Sequence, residues 1–256
     1  MKCRWTGIAA GILFVGLLAY VGLALPPQEN LIGSYVTSIK DRAESQRYNV
    51  NLACRHLDNT VILPGQTFSF LKKVGSWTAD RGYVKAPVSY DGELVRSYGG
   101  GVCQASSTLY NAALLAGLDI VQRERHHFAP HYVPPGRDAA VAYEEIDLKI
   151  HNNLPEAIRI RASMDNGNVN CRILSTYKPN YRVYVNSMVK SITKPLEIIQ
   201  DRSVDSSGRR KLINRGHAGF HVATYRSFVY PQRTVRQLIS EDRYPAMNRV
   251  VRIVKR

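Results

Sequence analysis

The chain has 256 residues, of which 45% are hydrophobic and 21% charged, and its formal net charge is +15. This length is enough for one large domain or two smaller ones, and the composition excludes a disordered chain. Residues 151–256 contain 20 basic and 7 acidic side chains, so nearly all of the excess positive charge falls there. Such a surface predicts an anionic partner, and a merely solvated basic surface is the equally weighted alternative.

The N-terminus predicts export from the cytoplasm. Lys2 and Arg4 precede an uncharged run over residues 5–25, which is about as long as a membrane-spanning helix. The positive flank is expected to stay in the cytoplasm, so the bulk of the chain is expected to be extracytoplasmic. We expect residues 1–30 to be a signal-anchor and linker, and cleavage of a secretory leader near Ala24 is the alternative. The polyanions outside the membrane are lipid headgroups and wall polymers, so no nucleic-acid partner is expected.

The elements predicted on either side of a central glycine run are mainly strands. Before the glycines, the patterns predict a helix over residues 31–57 and strands over residues 59–65 and 83–90, the last leading into a hairpin at Asp91-Gly92. After the central helix, strands are predicted over residues 120–125, 141–150 and 158–164, with a hairpin turn at Asn166-Gly167. The remaining sequence is β-like and basic.

Gly99, Gly100 and Gly101 lead into a helix predicted over Val102–Leu115, and this motif is the leading candidate for a functional site. Cys103 falls in the first turn, where unpaired backbone N–H groups and the helix macrodipole favour a thiolate. The glycines permit left-handed backbone geometry and a close approach of substrate. The same N–H groups can donate to an oxyanion. A thiol acyl-transfer enzyme needs this arrangement, and an inert buried cysteine is the alternative.

An imidazole and a carboxylate follow in the order that such chemistry uses. His126 and His127 lie at the end of a predicted strand, and Asp138 precedes the next strand. Papain-like and transglutaminase-like folds share this layout, which suggests Cys103 as nucleophile, His126 as base and Asp138 as the group that orients the imidazole. The alternatives are that Asp138 only braces a turn and that the histidines are surface residues.

The remaining cysteines suit a free Cys103. With Cys3 in or beside the membrane, Cys54, Cys103 and Cys171 are left outside, and an odd number leaves at least one free thiol or an intermolecular bond. Pairing of Cys54 with Cys171 would leave Cys103 free. The sequence has no CxxC motif and no Cys/His ligand spacing, so we expect no metal and no cofactor.

Four segments in order resemble the VanW family, which is named for an accessory protein of some vancomycin-resistance clusters. They are LPGQTFSF (residues 63–70), DRGY (80–83), GGGVCQASSTLYNA (99–112) and YVPPGRDA (132–139). Residues 216–226 and 238–244 also resemble the usual ending of such proteins. The resemblance implies an envelope-associated protein. The positions that carry over from it are Cys103, Gln104, Ser107, Tyr110, His126, Arg137 and Asp138.

Together these patterns predict a mixed α+β domain over residues 31–178, with the cysteine-bearing helix packed on an antiparallel sheet, and a basic β-rich module over residues 179–256. The predicted function is an exported Cys–His–Asp acyl-transfer enzyme (amidase, peptidase or transpeptidase) acting on peptidoglycan peptides, with a link to glycopeptide resistance. A non-catalytic module that binds peptidoglycan or an anionic wall polymer is the alternative. The residues expected to bind substrate are Gly100, Gly101, Gln104, Ser107, Tyr110, Arg81, Tyr83 and Arg137.

Overall fold

The structure is a computed structural model, and it describes residues 28–90, 93–142, 145–200 and 209–254. The run over residues 5–25, predicted to be a membrane-spanning helix, lies outside these ranges. Within them, no helix has the length and apolar character needed to cross a membrane.

Strands outnumber helices, with 47% of the described residues in strands and 17% in helices. The helices of the described ranges are α1 (Glu44–Leu57), α2 (Phe70–Val74) and α3 (Val102–Leu115), with a 3₁₀ turn over Ala79–Arg81. The strands are β1 (Asn30–Ser38), β2 (Thr60–Ile62), β3 (Thr67–Ser69), β4 (Lys85–Tyr90), β5 (Glu93–Tyr98), β6 (Asp119–Gln122), β7 (Lys149–His151), β8 (Ile158–Asp165), β9 (Asn168–Ser175), β10 (Arg182–Thr193), β11 (Glu197–Gln200), β12 (Arg209–Asn214), β13 (Gly219–Val229), β14 (Thr234–Tyr244) and β15 (Arg249–Val254).

The predicted mixed α+β class is therefore wrong, because the few helices lie among strands that form several separate sheets. The prediction placed too much helix near the start. Residues 31–57 do not form one helix: the first part is β1, which pairs with the distant β9, and only the second part is α1. The strand predicted over residues 141–150 is also wrong, since β7 forms only at its end.

One antiparallel sheet, with strand order β1-β9-β8-β2, supports α3 and α1. The predicted hairpin turn between β8 and β9 is confirmed, with Asn166 at φ 48° and Gly167 at φ 75°. Gly33 of β1 lies directly against α3, because a Cβ atom there would be 2.5 Å from the carbonyl oxygen of Ala112. This contact positions α3, whose predicted bounds are confirmed.

The sheet that contains β13 packs on the earlier part of the chain. Strands β10, β13 and β14 form an antiparallel sheet, and β11, β15 and β12 form a mixed one. The guanidinium of Arg226 on β13 donates to the carbonyl of Leu118 at 2.6 Å, and the hydroxyl of Thr224 donates to the carbonyl of Gly136 at 3.2 Å. These contacts bring the end of β14 next to Asp138. The module boundary at residue 179 stays a prediction.

Candidate active site

Cys103 is the second residue of α3 and is half-buried. Gly101 precedes the helix with φ 105°, a left-handed conformation that favours glycine. The N–H of Val102 bonds to the carbonyl of Gly99 at 3.0 Å, and the N–H of Gln104 bonds to the carbonyl of Gly101 at 2.8 Å. The N–H of Cys103 takes part in neither bond. Cys103 thus lies in the first turn of α3, where the helix dipole favours negative charge.

The three side chains predicted as a triad lie together. The thiol of Cys103 interacts with the ring of His126, which shifts the pKa of both groups, and in its protonated form the thiol donates to the carbonyl oxygen of Val141 at 3.3 Å. The His126 Nδ1 atom is 2.7 Å from Asp138 Oδ2, and the backbone N–H of His126 donates to the same oxygen at 2.7 Å. Since Nδ1 faces Asp138, Nε2 is the ring nitrogen left for the sulfur.

Cys103 and His126 favour each other's charged forms. Burial acts to raise the pKa of the Cys103 thiol, but the hydrogen bond and positive charge of His126 outweigh it and lower the pKa overall. Burial acts to lower the pKa of His126, but its bonds to Asp138 and Cys103, and their charges, raise that pKa to about 10. Opposite charges in contact produce such paired shifts. The site therefore favours a thiolate–imidazolium ion pair.

Asp138 is fully buried, and its carboxylate accepts hydrogen bonds on both oxygens. Burial acts to raise its pKa, but the hydrogen bond and charge of His126, followed by the charge of Arg123, lower that pKa to about 2. The Oδ1 atom accepts from the guanidinium of Arg123 at 3.1 Å and from the hydroxyl of Tyr244 at 2.5 Å. Asp138 is thus ionised at neutral pH.

Tyr132 lies beside the triad and faces both of its reactive members. Its hydroxyl donates to the carbonyl oxygen of Cys103 at 3.2 Å, and its ring stands edge-on to His126 with centroids 6.5 Å apart. The guanidinium of Arg42 lies 5.3 Å from the centre of the Tyr132 ring. Tyr132 therefore couples the start of α3 to the histidine.

The predicted substrate-binding glycines pack closely against the backbone of other elements. A Cβ atom on Gly100 would lie 2.7 Å from the carbonyl oxygen of Pro87, and one on Gly101 would lie 2.9 Å from the carbonyl oxygen of Gln46. Their small size is thus explained by the packing of α1 and β4 against the start of α3. A role in binding substrate stays a prediction.

Four further predicted substrate residues are buried in the body of the protein. Gln104 donates to the carbonyl oxygen of Ser38 at 2.8 Å, and Ser107 donates to the carbonyl oxygen of Cys103 at 2.7 Å. Tyr110 is fully buried, and burial raises its pKa to about 12. Arg137 donates to the side chain of Asn111 and to the carbonyl of Val185. Each of these residues braces α3 or the Asp138 loop.

Arg81 and Tyr83 lie apart from the triad's hydrogen bonds. Arg81 donates to the carbonyl of Val74 at 3.0 Å, while Tyr83 is buried and stacks on His56 with ring centroids 6.5 Å apart. Their predicted role in substrate binding has no support in these contacts and stays a prediction.

Sequence reasoning missed Arg123, Tyr132, Asp242 and Tyr244. Arg123 donates to Asp138 and, through Nη1, to both carboxylate oxygens of Asp242 at 2.7 and 2.8 Å. Tyr132, Asp242 and Tyr244 fall inside segments that carry the family resemblance, which was the available signal for them. Nothing local in the sequence indicated that β14 would reach Asp138.

Cys54 and Cys171 differ from Cys103 in their burial and in the direction in which their pKa is shifted. Cys54 and Cys171 are buried free thiols. Burial raises the pKa of Cys54 to about 12 and also raises that of Cys171. Across the described ranges, no group of three or more His, Cys, Asp and Glu side chains has an arrangement that could hold a metal ion.

Two solved structures of G5 domains are similar to about a third of this chain. The crystal structure of HP0197-G5 covers 30% of the chain with 18% identity and a TM-score of 0.18, with all of that structure matched. The IgA1 protease G5 domain covers 31% with 21% identity and a TM-score of 0.22, with 96% of that structure matched.

Residues 45–174 match the family model described as VanW like protein. The uncharacterized protein YoaR of Bacillus subtilis is 40% identical over 163 residues, which are 64% of this chain and 52% of YoaR. The vancomycin B-type resistance protein VanW of Enterococcus faecalis is 30% identical over 141 residues, which are 53% of this chain and 51% of that protein. The chain thus spans about half the length of these relatives. With half of its residues matched by the family model and the triad inside the match, the chain belongs to the VanW-like family.

Proposed function

We propose that this protein is a thiol acyl-transfer enzyme of the cell envelope, in which Cys103 attacks an amide of a peptidoglycan peptide. The observation that carries the proposal is the juxtaposition of Cys103 with His126, whose Nδ1 atom is 2.7 Å from Asp138 Oδ2, with the pKa of the thiol lowered and that of the imidazole raised. A thiolate is a strong nucleophile, and a fixed imidazolium next to it can protonate a leaving amine.

The proposed reaction has two steps. The Cys103 thiolate bonds to the amide carbonyl carbon, whose oxygen takes up negative charge, and the N–H of Cys103 is a candidate donor to that oxygen. His126 gives its proton to the nitrogen as the carbon–nitrogen bond breaks, which leaves a thioester. A water molecule or an amine then attacks the thioester and passes a proton to His126, which restores the ion pair. Water gives hydrolysis and an amine gives transpeptidation.

Two observations support a substrate in the cell envelope. The relative from Enterococcus faecalis is named a vancomycin B-type resistance protein, which favours a role linked to resistance. The charged start and apolar run over residues 5–25 favour a location outside the cytoplasm, with the leader either kept as an anchor or removed.

Incubation of the full chain with purified peptidoglycan, followed by mass spectrometry of the released or exchanged peptides, tests the proposal. We expect activity in wild type, no detectable activity in Cys103→Ala, and retained activity in Cys54→Ala, which removes a buried thiol remote from the triad. Activity that persists in Cys103→Ala would overturn the mechanism. Peptidoglycan left unchanged by the wild type would overturn the substrate.

The second candidate function is a non-catalytic module that binds an anionic wall polymer. It is favoured by the 20 basic against 7 acidic side chains over residues 151–256, several of them exposed on the two C-terminal sheets. On this proposal, polymer binding weakens as salt rises and is unaffected by Cys103→Ala, because screened surface charges carry it.

A further inference from the structure

We propose that β14 completes the active site, with Tyr244 holding Asp138 in position and Asp242 balancing the charge of Arg123, so that Asp138 remains free to act on His126. The inference rests on the proposed function of Cys103, His126 and Asp138. Tyr244 and Asp242 are positioning residues in this proposal, since Tyr244 acts through Asp138 and Asp242 acts through Arg123. They lie 68 residues or more beyond the end of the family match at residue 174.

Tyr244 ties Asp138 to the turn that precedes it. The buried tyrosine hydroxyl donates to Asp138 Oδ1 at 2.5 Å and accepts a hydrogen bond from the backbone N–H of Gly136 at 3.0 Å. Because the hydroxyl oxygen accepts from Gly136 and also from Arg123 Nη2 at 3.3 Å, its proton is directed at the carboxylate. A hydrogen bond to an ionised group in a buried site is among the strong ones, so it restricts how Asp138 can rotate.

Arg123 divides its donors among four acceptors. Its Nη1 atom binds both carboxylate oxygens of Asp242, and its Nε atom donates to the backbone carbonyl of Asp138 at 2.7 Å. Only Nη2 reaches the Asp138 carboxylate, at 3.1 Å, and it also donates to the Tyr244 hydroxyl at 3.3 Å. Ser240 in turn donates to Asp242 Oδ2 at 2.8 Å. Asp242 therefore provides the closest carboxylate contact of the guanidinium.

This division leaves the other oxygen of Asp138 to His126. Oδ1 takes the bonds from Arg123 and Tyr244, whereas Oδ2 takes both bonds from His126. If Asp242 lost its charge, the full charge of Arg123 would face Asp138 and His126. That positive charge would disfavour the imidazolium and, with it, the Cys103 thiolate, because interactions in this buried network are poorly screened.

The loss of either β14 side chain is thus expected to affect the population of the thiolate–imidazolium pair, but in different directions. Loss of the Asp242 charge lowers the population of the thiolate–imidazolium pair. Loss of the Tyr244 hydroxyl removes a donor from Asp138, which makes the carboxylate more negative towards His126 but less well oriented. A general loosening of the fold would instead change both variants in the same way.

The test is the rate at which iodoacetamide alkylates Cys103 in the full chain, followed across pH by mass spectrometry of the peptide that contains it. We expect Asp242→Asn to slow the reaction roughly fivefold at pH 6.5 and Asp242→Glu to recover most of the rate. We expect Tyr244→Phe not to slow it, and we expect the low-field NMR signal of the His126 Nδ1 proton to broaden in that variant. Tyr184→Phe, an exposed tyrosine of the same sheet, is the matched control and should match wild type in both measurements.

Alkylation of Cys54 and Cys171 reports on the fold in the same samples, because both thiols are buried and should stay unmodified. A folded Asp242→Asn protein with the wild-type profile would overturn the charge-balancing role. Slowing by the same factor in Tyr244→Phe, or an unchanged His126 proton signal there, would overturn the positioning role. Neither result depends on the substrate, so failure of this inference is distinct from failure of the peptidoglycan assay.

Discussion

At the scale of single residues, the ion pair of Cys103 and His126 links the stability of the fold to pH. In an unfolded chain, histidine titrates near about 6.5 and cysteine near about 8.5. The raised pKa of His126 gives stability that is complete below about 6.5 and lost as pH rises towards about 10. The lowered pKa of Cys103 gives stability that is complete above about 8.5 and lost as pH falls through its folded value.

We therefore predict that the pair stabilises the fold at about pH 8.5 and that this stabilisation is lost as pH rises towards about 10, where His126 releases its proton. The measurement is the free energy of unfolding of wild type minus that of Cys103→Ala/His126→Ala, from urea denaturation at a series of pH values. This difference should fall as pH rises from about 8.5 to about 10. His127→Ala replaces an exposed residue outside the pair, so the free energy of unfolding of wild type minus that of this variant should not show the same fall. A double-variant difference that does not vary between pH 5 and 10 would be incompatible with the ion pair.

At the scale of elements, the start of α3 depends on glycine for two separable reasons. Gly101 has φ 105°, and a Cβ atom there would lie 2.9 Å from the carbonyl oxygen of Gln46 and 3.0 Å from Val50 Cγ2. Gly65 has φ 74° but no atom within 4 Å of a Cβ position. The two glycines thus share the backbone conformation and differ in the space around them.

We predict that Gly101→Ala lowers the free energy of unfolding by about 3 kcal/mol and Gly65→Ala by about 1 kcal/mol, because only the first adds a steric clash to the backbone strain. Denaturant unfolding at constant pH measures both values. Since the clash displaces the first turn of α3, Gly101→Ala should also slow the alkylation of Cys103, and Gly65→Ala should not. Equal losses of stability in the two variants would refute the argument from packing.

How far the sequence predicts each element depends on how local its determinants are. The bounds of α3 follow from glycines at its start, a run of small and apolar residues, and Gly117 after its end. The turn at Asn166-Gly167 is equally local. By contrast, β1 was predicted as helix because its strand pairing is with β9, 130 to 145 residues later, and no local pattern encodes that partner.

The site residues also differ in how local their determinants are. Cys103, His126 and Asp138 lie within 36 residues and follow a recognisable order, so the sequence could suggest them. Tyr244 reaches Asp138, and Asp242 reaches Arg123, only because β14 pairs with β13, and β13 packs on the loop that carries Asp138. Contacts between residues 106 positions apart depend on the whole fold.

At the scale of the whole molecule, the basic side chains of the second half are exposed in a way that suits a polyanion. Arg233 directly precedes β14 and Arg236 lies near its start. Both are exposed, and their guanidinium groups stack on the rings of Tyr230 and Tyr225, at 5.2 and 3.8 Å from the ring centres. Among the described residues, neither arginine forms an ion pair with an acidic side chain. Stacking holds each cation at the surface while leaving its charge available to a ligand.

We predict that the full chain binds poly(glycerol phosphate), a polymer with one negative charge per repeat, and that Arg233→Gln/Arg236→Gln weakens this binding about fivefold, since each exposed charge contact contributes well under 1 kcal/mol. Fluorescence titration measures the affinity. Raising the salt concentration from about 0.1 M to about 1 M shortens the Debye length from about 10 Å to about 3 Å, so binding should fall steeply for wild type and less steeply for the variant. Arg233→Lys/Arg236→Lys keeps both charges and should bind like wild type, as should Cys103→Ala. Binding that is insensitive to salt, or that extends equally to uncharged dextran, would show that the exposed charges do not cause the binding.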